Sequence, residues 1–312
     1  MPASSEETLS SLRTEFRERV ANTFGADGRL WLNDLPRLLK ECERRWGLEI
    51  NSPITPLSYN FVAPARMDDG QEIIIKLGVP NPELSSEIAA LQTYDSRGSV
   101  SLIDADPQAG VLLLERLIPG RMLSEFGRQN DEEAARMAAR VMKKLWRPLP
   151  GDHGFTTVAQ WAKGFQRLRD RFNGGTGPFP AGLVSDAEEI YQRLTANSES
   201  EVLLHGDLHH FNILSAQREP WLAIDPKGVA GDPAYDAGAL LRNPFPEIYN
   251  WSNLGEIQSR RLDILSEELQ LSRQRIQEWA YAQMVLSAWW SFEDEGITSR
   301  NWIPFAEQIR SA

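Results

Sequence analysis

His205-Gly206-Asp207-Leu208-His209-His210-Phe211-Asn212-Ile213-Leu214 is the stretch that decides the reading of this chain. It follows a short apolar run, Val202-Leu203-Leu204, and places an asparagine five positions after an aspartate. A second apolar run, Trp221-Leu222-Ala223-Ile224, ends in Asp225. Short apolar runs bounded by turn residues read as strands. Asp207, Asn212 and Asp225 therefore fall at strand ends, where a rigid scaffold holds side chains at fixed points.

Phosphoryl transfer explains this set. An attacking hydroxyl must be aligned with a phosphorus atom, and a carboxylate that accepts its proton does that. Asp207 is placed for this catalytic role. The polyphosphate needs Mg²⁺, which takes oxygen ligands. Asn212 offers an amide oxygen and Asp225 a carboxylate. The same chemistry calls for a lysine on a strand, paired with a helix glutamate. Glu72-Ile73-Ile74-Ile75-Lys76 is a β-branched strand ending in lysine, and Glu87 follows eleven residues later on a predicted helix. Alone, Lys76 reads as a solvated strand end and Glu87 as an exposed helix charge. Together they read as a phosphate-neutralising lysine and the carboxylate that holds it. Three of the four histidines, His205, His209 and His210, lie within six residues. With one distant cysteine they make a poor zinc set. His205 reads instead as a residue packed beneath the loop, bonded to its backbone.

Outward from this centre the chain reads as α+β, with a mixed first lobe (1–115) and a helical second lobe (116–312). Helices are predicted over 6–24 and 34–46, where Leu9, Leu12, Phe16 and Val20, then Leu35, Leu38, Leu39, Cys42 and Trp46, recur at helical spacing. Gly25-Ala26-Asp27-Gly28 reads as the turn between them. Strands follow over 48–50, 59–63 and 72–77, with Asp69-Gly70 as a hairpin signal. Pro82 to Tyr94 reads as a helix, and extended stretches lie near 100–103 and 111–117. Beyond Pro119-Gly120 helices are predicted over 122–127, 131–146, 157–172, 185–196, 256–269, 273–293 and 302–310. Only 201–225 interrupts them with strands. The Gly- and Pro-rich stretch 173–180 reads as an exposed loop.

A chain of 312 residues is long enough for one two-lobed enzyme. Its net charge of -11 disfavours nucleic acid and suits a cationic or polar small-molecule substrate, or simply solubility. The single cysteine, Cys42, excludes an internal disulfide and fits a reducing cytoplasm. The charged first twenty residues do not resemble a secretory signal, and no apolar run is long enough for a membrane span. Monomer and homodimer both stay open.

Beyond the 205–214 run, several segments resemble a known family. They are Ile75-Lys76-Leu77-Gly78-Val79-Pro80, Glu87-Ile88-Ala89-Ala90-Leu91, Leu112 to Leu117 with Pro119-Gly120, and Leu222-Ala223-Ile224-Asp225-Pro226-Lys227-Gly228. Gly231-Asp232-Pro233-Ala234-Tyr235-Asp236 and Leu241-Arg242-Asn243-Pro244 complete the pattern. The sequence resembles the aminoglycoside phosphotransferase family, which has the protein-kinase-like fold. Within it, the likeness is to the streptomycin 6-phosphotransferase and hydroxyurea phosphotransferase subgroup, over roughly 46 to 250. The resemblance implies ATP or GTP with Mg²⁺ as cofactors. It implies a hinge near Glu115, Leu117 and Ile118 that binds the adenine edge. It further implies that Asp236 braces the catalytic loop by accepting its backbone N–H groups. The loop over the phosphates would be Leu57-Ser58-Tyr59-Asn60-Phe61-Val62. It departs from the family pattern in lacking glycine, and Ser58 remains as a β-phosphate contact.

An acidic pocket would attract a cationic sugar. Candidates for acceptor binding are Asp232, Arg242, Asn243, Trp289 and Glu293, with Asp294 and Glu295 nearby. Trp289 would stack on a cationic group. Each has a plain structural alternative: a solvated helix end, a core face, or an arginine paired with a structural carboxylate. A streptomycin-type antibiotic kinase, a metabolite kinase on the same scaffold and a nucleotide-binding pseudokinase are the competing functions. A protein kinase is disfavoured, because ten residues between Asp225 and Asp236 leave no room for an activation segment.

Overall fold

The structure is a computed structural model that describes residues 14–126, 128–198, 200–296 and 301–312. The start of the first expected helix, with Leu9 and Leu12, lies outside the described residues. The chain separates into two compact units. One runs through Ser96 and takes up Val100–Leu117, and the other holds Arg97–Ser99 and Ile118–Ala312.

The first unit opens on two helical segments that meet at a kink, as the sequence predicts, and the second begins ahead of residue 34. Helix α1 (Thr14–Trp46) bends at Gly25, whose φ of 59° and ψ of -125° are not helical. Its buried stripe of Phe16, Val20, Trp31, Leu32, Leu35, Leu39 and Cys42 packs on the sheet. Burial pushes the Cys42 thiol up to about 11, so it is an inert core group. Strands β1 (Leu48–Ile50), β2 (Phe61–Met67), β3 (Glu72–Leu77), β4 (Leu102–Asp106) and β5 (Val111–Glu115) form an antiparallel sheet in the order β1-β2-β3-β5-β4. Strand β2 begins at Phe61 and not at Tyr59, because residues 51–60 form an irregular loop. The expected hairpin at Asp69-Gly70 is present, with the Gly70 N–H donating to Met67 O at 2.8 Å. Helix α2 (Pro82–Tyr94) has the predicted limits. The Asn81 side chain accepts from the Leu84 N–H, and Pro82 supplies the first turn.

The second unit is mainly helical. It contains α3 (Asp131–Leu145), α4 (Val158–Trp161), α5 (Lys163–Arg171), α6 (Ala181–Ala196), α7 (Ala234–Leu241), α8 (Leu254–Leu269), α9 (Arg273–Glu295) and α10 (Trp302–Ser311). Two small sheets thread between them. One joins β6 (Arg147–Pro148), β8 (Val202–Leu204), β11 (Val229–Gly231) and β7 (Thr156–Thr157), and the other is the hairpin of β9 (Ile213–Ser215) and β10 (Trp221–Ala223). Helix α9 is the axis of the unit. Its Trp279, Ala280, Val285, Leu286 and Trp289 are buried, and α7 lies against it. A Cβ on Gly238 would sit 2.7 Å from the end of the Gln283 side chain, so a larger residue there would displace that amide. An aromatic cluster of Phe172, Phe179, Trp289, Phe292 and Trp302 fills the end of this core. Phe179 is therefore buried, and the stretch 173–180 is a loop anchored in the core rather than a wholly exposed one.

Candidate active site

The run that begins at His205 forms the turn after β8, and its shape is set by what surrounds it. Gly206 adopts φ 85°, and a Cβ there would come within 2.8 Å of Val229 Cγ2, so only glycine fits. The His205 imidazole is fully buried, accepts from the Asp207 N–H at 3.2 Å through Nδ1, and bonds Ile224 O at 2.8 Å through Nε2. Both bonds use a neutral ring protonated at Nε2, and burial pushes the imidazole down to about 4. Asp236, on the first turn of α7, accepts from the N–H groups of His205 (3.0 Å) and Gly206 (2.8 Å) and from the Trp146 indole (3.1 Å). Burial raises the Asp236 carboxyl to about 6, against the pull of those three donors.

The candidate metal ligands meet through the backbone. The β9–β10 hairpin pairs Ile213 with Ala223, and the Ile224 N–H donates to Asn212 O at 2.9 Å, which brings Asn212 and Asp225 to the same end of the hairpin. The Asn212 amide donates to Asp207 O at 3.1 Å, so its oxygen is the atom that can meet a cation. Asp225 is exposed and adopts φ 57°, a conformation that aspartate tolerates better than most residues. Among the described residues no three His, Cys, Asp or Glu are grouped so as to hold a metal ion by themselves. An asparagine and an aspartate still fit Mg²⁺, which keeps waters and takes substrate phosphate oxygens.

In the first unit, Lys76 and Glu87 are joined. The Lys76 ammonium donates to Glu87 Oε1 at 2.7 Å and Oε2 at 2.8 Å, and both side chains are buried. Pairing compensates two charges that would be costly to bury singly. Ser58 is exposed in the loop between β1 and β2. Glu115 ends β5 and accepts from the Ser101 N–H (3.1 Å) and hydroxyl (2.9 Å), so its side chain is engaged within the sheet. Leu117 is half-buried and Ile118 is exposed, at the point where the chain passes from one unit to the other.

A cavity of about 250 Å³ opens beside Asp207 within the second unit. Its walls come from the loop after β8, the segment after α7, helix α9 and the start of α10; they include His209, Arg242, Tyr249, Met284, Ser287 and Trp302. Arg242 Nη2 donates to Asp207 Oδ1 at 2.8 Å, and His209 Nε2 lies 3.5 Å from Oδ2. Burial works to raise the Asp207 carboxyl, but His209, Arg242 and Lys227 outweigh it and hold the group well below the usual carboxylate range. It is ionised at neutral pH, the form that accepts a proton.

Of the acceptor-binding candidates, the structure brings Arg242 and Asn243 to this cavity. The Asn243 amide is committed internally, donating to Ala239 O at 2.8 Å while its oxygen accepts from the Phe245 N–H at 3.1 Å. The other three line other parts of the unit. Asp232 is buried between Arg275 and the Trp279 indole. Trp289 is 1% exposed inside the aromatic cluster. Glu293 forms a two-point pair with Arg167, at 2.7 Å on each oxygen. Asp207 is the one carboxylate among the described lining residues, so the acidic pocket read from these candidates does not form there. His209, Ser287, Tyr249 and Met284 line the cavity without being marked as wall residues by the sequence. His209 lay in the informative run, whereas Ser287 and Met284 carry no sequence signal distinct from a core helix.

Solved structures share this architecture. A choline kinase from Streptococcus pneumoniae superposes with a TM-score of 0.63 at 16% identity, covering 89% of this chain and 99% of that one. The fold is the protein-kinase-like α+β fold. Residues 45–296 match the family described as aminoglycoside/hydroxyurea antibiotic resistance kinase, and the chain belongs to that family. Curated relatives agree. A streptomycin 6-kinase from Streptomyces glaucescens is 32% identical over 285 residues, 88% of either chain. A hydroxyurea phosphotransferase from Kitasatospora aureofaciens is 34% identical over 280 residues, 86% of this chain and 77% of the relative. Among the described residues no helix is long and apolar enough to cross a membrane.

Proposed function

We propose that this protein transfers the γ-phosphoryl group of ATP, bound with Mg²⁺, to a hydroxyl of a streptomycin-like aminoglycoside or a related small molecule, in the cytoplasm. The observation that carries this reading is the Asp207 carboxylate on the wall of a cavity, fixed by the same loop that presents Asn212. Asp207 would accept the proton of the attacking hydroxyl. Asn212 and Asp225 would hold Mg²⁺, which neutralises charge on the phosphates. Lys76, held by Glu87, would neutralise phosphate oxygens of the nucleotide, and backbone groups near Glu115, Leu117 and Ile118 would meet the adenine edge. Most of the rate would come from alignment and charge stabilisation.

A second reading, a compact and less cationic acceptor, is favoured by one observation. Asp207 is the single carboxylate among the described lining residues, and Arg242 already pairs with it. Hydroxyurea is an acceptor of that kind. The deciding experiment is phosphate transfer from ATP and Mg²⁺ to streptomycin, hydroxyurea and other aminoglycosides, with Asp207→Ala as the blank. Transfer to streptomycin that the substitution abolishes supports the first reading, and transfer to hydroxyurea alone supports the second. An Asp207→Ala protein of near-native activity would remove Asp207 from the role of base.

A further inference from the structure

Three carbonyls around Arg242 are clamped from a single helix. Arg261, on α8, donates through Nη1 to Leu240 O at 3.2 Å and to Asn243 O at 2.7 Å. Gln258, one turn earlier, donates to Leu241 O at 2.8 Å. Arg261 is itself fully buried, paired with Asp131 through Nε at 3.0 and 3.1 Å, with its guanidinium carbon 5.3 Å from the centre of the Trp251 ring. Leu240 O also accepts from the Asn243 N–H at 3.2 Å, and the side chains of α8 add partners to this carbonyl and to those of Leu241 and Asn243. The backbone that carries Arg242 is thus held from below at residues 240, 241 and 243.

From this anchored segment the Arg242 side chain, 18% exposed, reaches two partners. Nη1 donates to Ser287 Oγ at 2.8 Å on α9, and Nη2 donates to Asp207 Oδ1 at 2.8 Å. The guanidinium is planar and rigid, so with Nη1 held by Ser287 its Nη2 meets the single oxygen Oδ1 of Asp207 from a fixed direction. A proton acceptor needs no such partner, and a cation on it lowers its basicity. What the contact does supply is orientation: an unheld carboxylate can rotate and offer either oxygen, whereas here Oδ1 is engaged by Arg242 at 2.8 Å and Oδ2 meets only the longer 3.5 Å approach of His209 Nε2.

We propose that Arg242 is a positioning residue for phosphoryl transfer, holding Asp207 Oδ1 so that Oδ2 is presented to the acceptor hydroxyl. The inference rests on Asp207 as the base. Oδ2 takes the hydroxyl proton while the acceptor oxygen bonds to the γ-phosphorus. The bond from that phosphorus to the bridging oxygen breaks, and ADP leaves with the electron pair. Ser287 acts one step further out, fixing the second arm of the guanidinium.

The test compares the native full-length chain with Arg242→Gln, Arg242→Lys, Ser287→Ala and Asp207→Asn. Turnover of ATP–Mg²⁺ is measured with streptomycin, with hydroxyurea and with water as acceptor, the last as release of inorganic phosphate. We expect Arg242→Gln to lower kcat by about 10- to 100-fold with the KM for ATP within about 2-fold of native. Arg242→Lys should recover part of that loss, and Ser287→Ala should cost about 3-fold in kcat. Four results would overturn the inference: native kcat in Arg242→Gln; a rise in acceptor KM alone, which makes the arginine a substrate contact; loss of ATP affinity and melting temperature together with kcat; or no recovery in Arg242→Lys. If Asp207→Asn remains active, the assignment of the base has failed. If Asp207→Asn is inactive while Arg242→Gln is not, only the positioning role has failed.

Discussion

Asp236 Oδ1 accepts the Gly206 N–H at 2.8 Å, across thirty residues of sequence. Its other oxygen takes the His205 N–H and the Trp146 indole, so a single carboxylate on α7 fixes the turn that presents Asp207. Asparagine in this place keeps one accepting oxygen and brings an amide that donates where N–H groups already point. Asp236→Asn should lower stability by about 1–3 kcal/mol in denaturant unfolding. It should also reduce kcat, since the turn loses its brace. Full stability with unchanged kcat would show that the backbone holds the turn unaided.

The buried Lys76–Glu87 pair makes a separate prediction in the first unit. Removing one partner strands the other charge, so Lys76→Met alone should destabilise by about 3–5 kcal/mol. Lys76→Met with Glu87→Leu should recover much of that stability while nucleotide binding remains weakened. Calorimetric unfolding and ATP titration of the single and double variants separate the two effects. If the double variant is no more stable than the single one, the pair is not the cause.

His205 sets an acid limit on stability. Its imidazole has a folded-state pKa of about 4 against an ordinary value of 6.5. Between those values the unfolded chain binds more protons than the folded one, so stability falls as pH drops from 6.5 towards 4 and is present in full above 6.5. The loss reaches about 3 kcal/mol at the lower end. The physical cause is that a protonated ring cannot accept the Asp207 N–H and is costly to bury. Unfolding free energies across that range should show the slope in the native chain and a shallower one in His205→Gln. Equal slopes would assign the acid sensitivity to other groups.

Trp289 and Tyr249 should behave as opposites. Trp289 sits within the aromatic cluster, so Trp289→Ala should cost about 3–5 kcal/mol of stability. Tyr249 lines the cavity, and Tyr249→Leu should raise the acceptor KM several-fold with a smaller stability change. A Trp289 variant that folds normally but loses acceptor binding would place that ring in the site after all.

Some of this was legible along the chain because its causes are local. Helix α2 was readable to the residue, since Asn81 caps it and Pro82 starts it, and both act within one turn. The Asp69-Gly70 hairpin and the ends of β3 were equally plain. Helix α7 was not: Ala234 to Leu241 is buried on every side and contains Gly238, so it shows no amphipathic period. Strand β9 is only three residues long, and β11, equally short, depends on partners that are distant in sequence. The two helices expected on either side of Gly25 are present, but the turn between them contracts to one non-helical residue, so the second starts earlier than its apolar spacing shows.

The sequence by itself determined the reaction class and the residues that suit it: the spacing from Asp207 to Asn212, Asp225 at the end of the next strand, and Lys76 with Glu87. Such motifs are short, because phosphate chemistry needs a few groups at close quarters. Only the tertiary structure decided which charges remain available to an acceptor. Asp232 and Glu293 look like free carboxylates in the sequence, yet Arg275 and Arg167 meet them from 43 and 126 residues away. The wall of the cavity is assembled the same way, from Asp207, Arg242, Ser287 and Trp302 on separate elements. Charge neutralisation and pocket shape depend on distances in space, and a linear chain carries those only once it is folded.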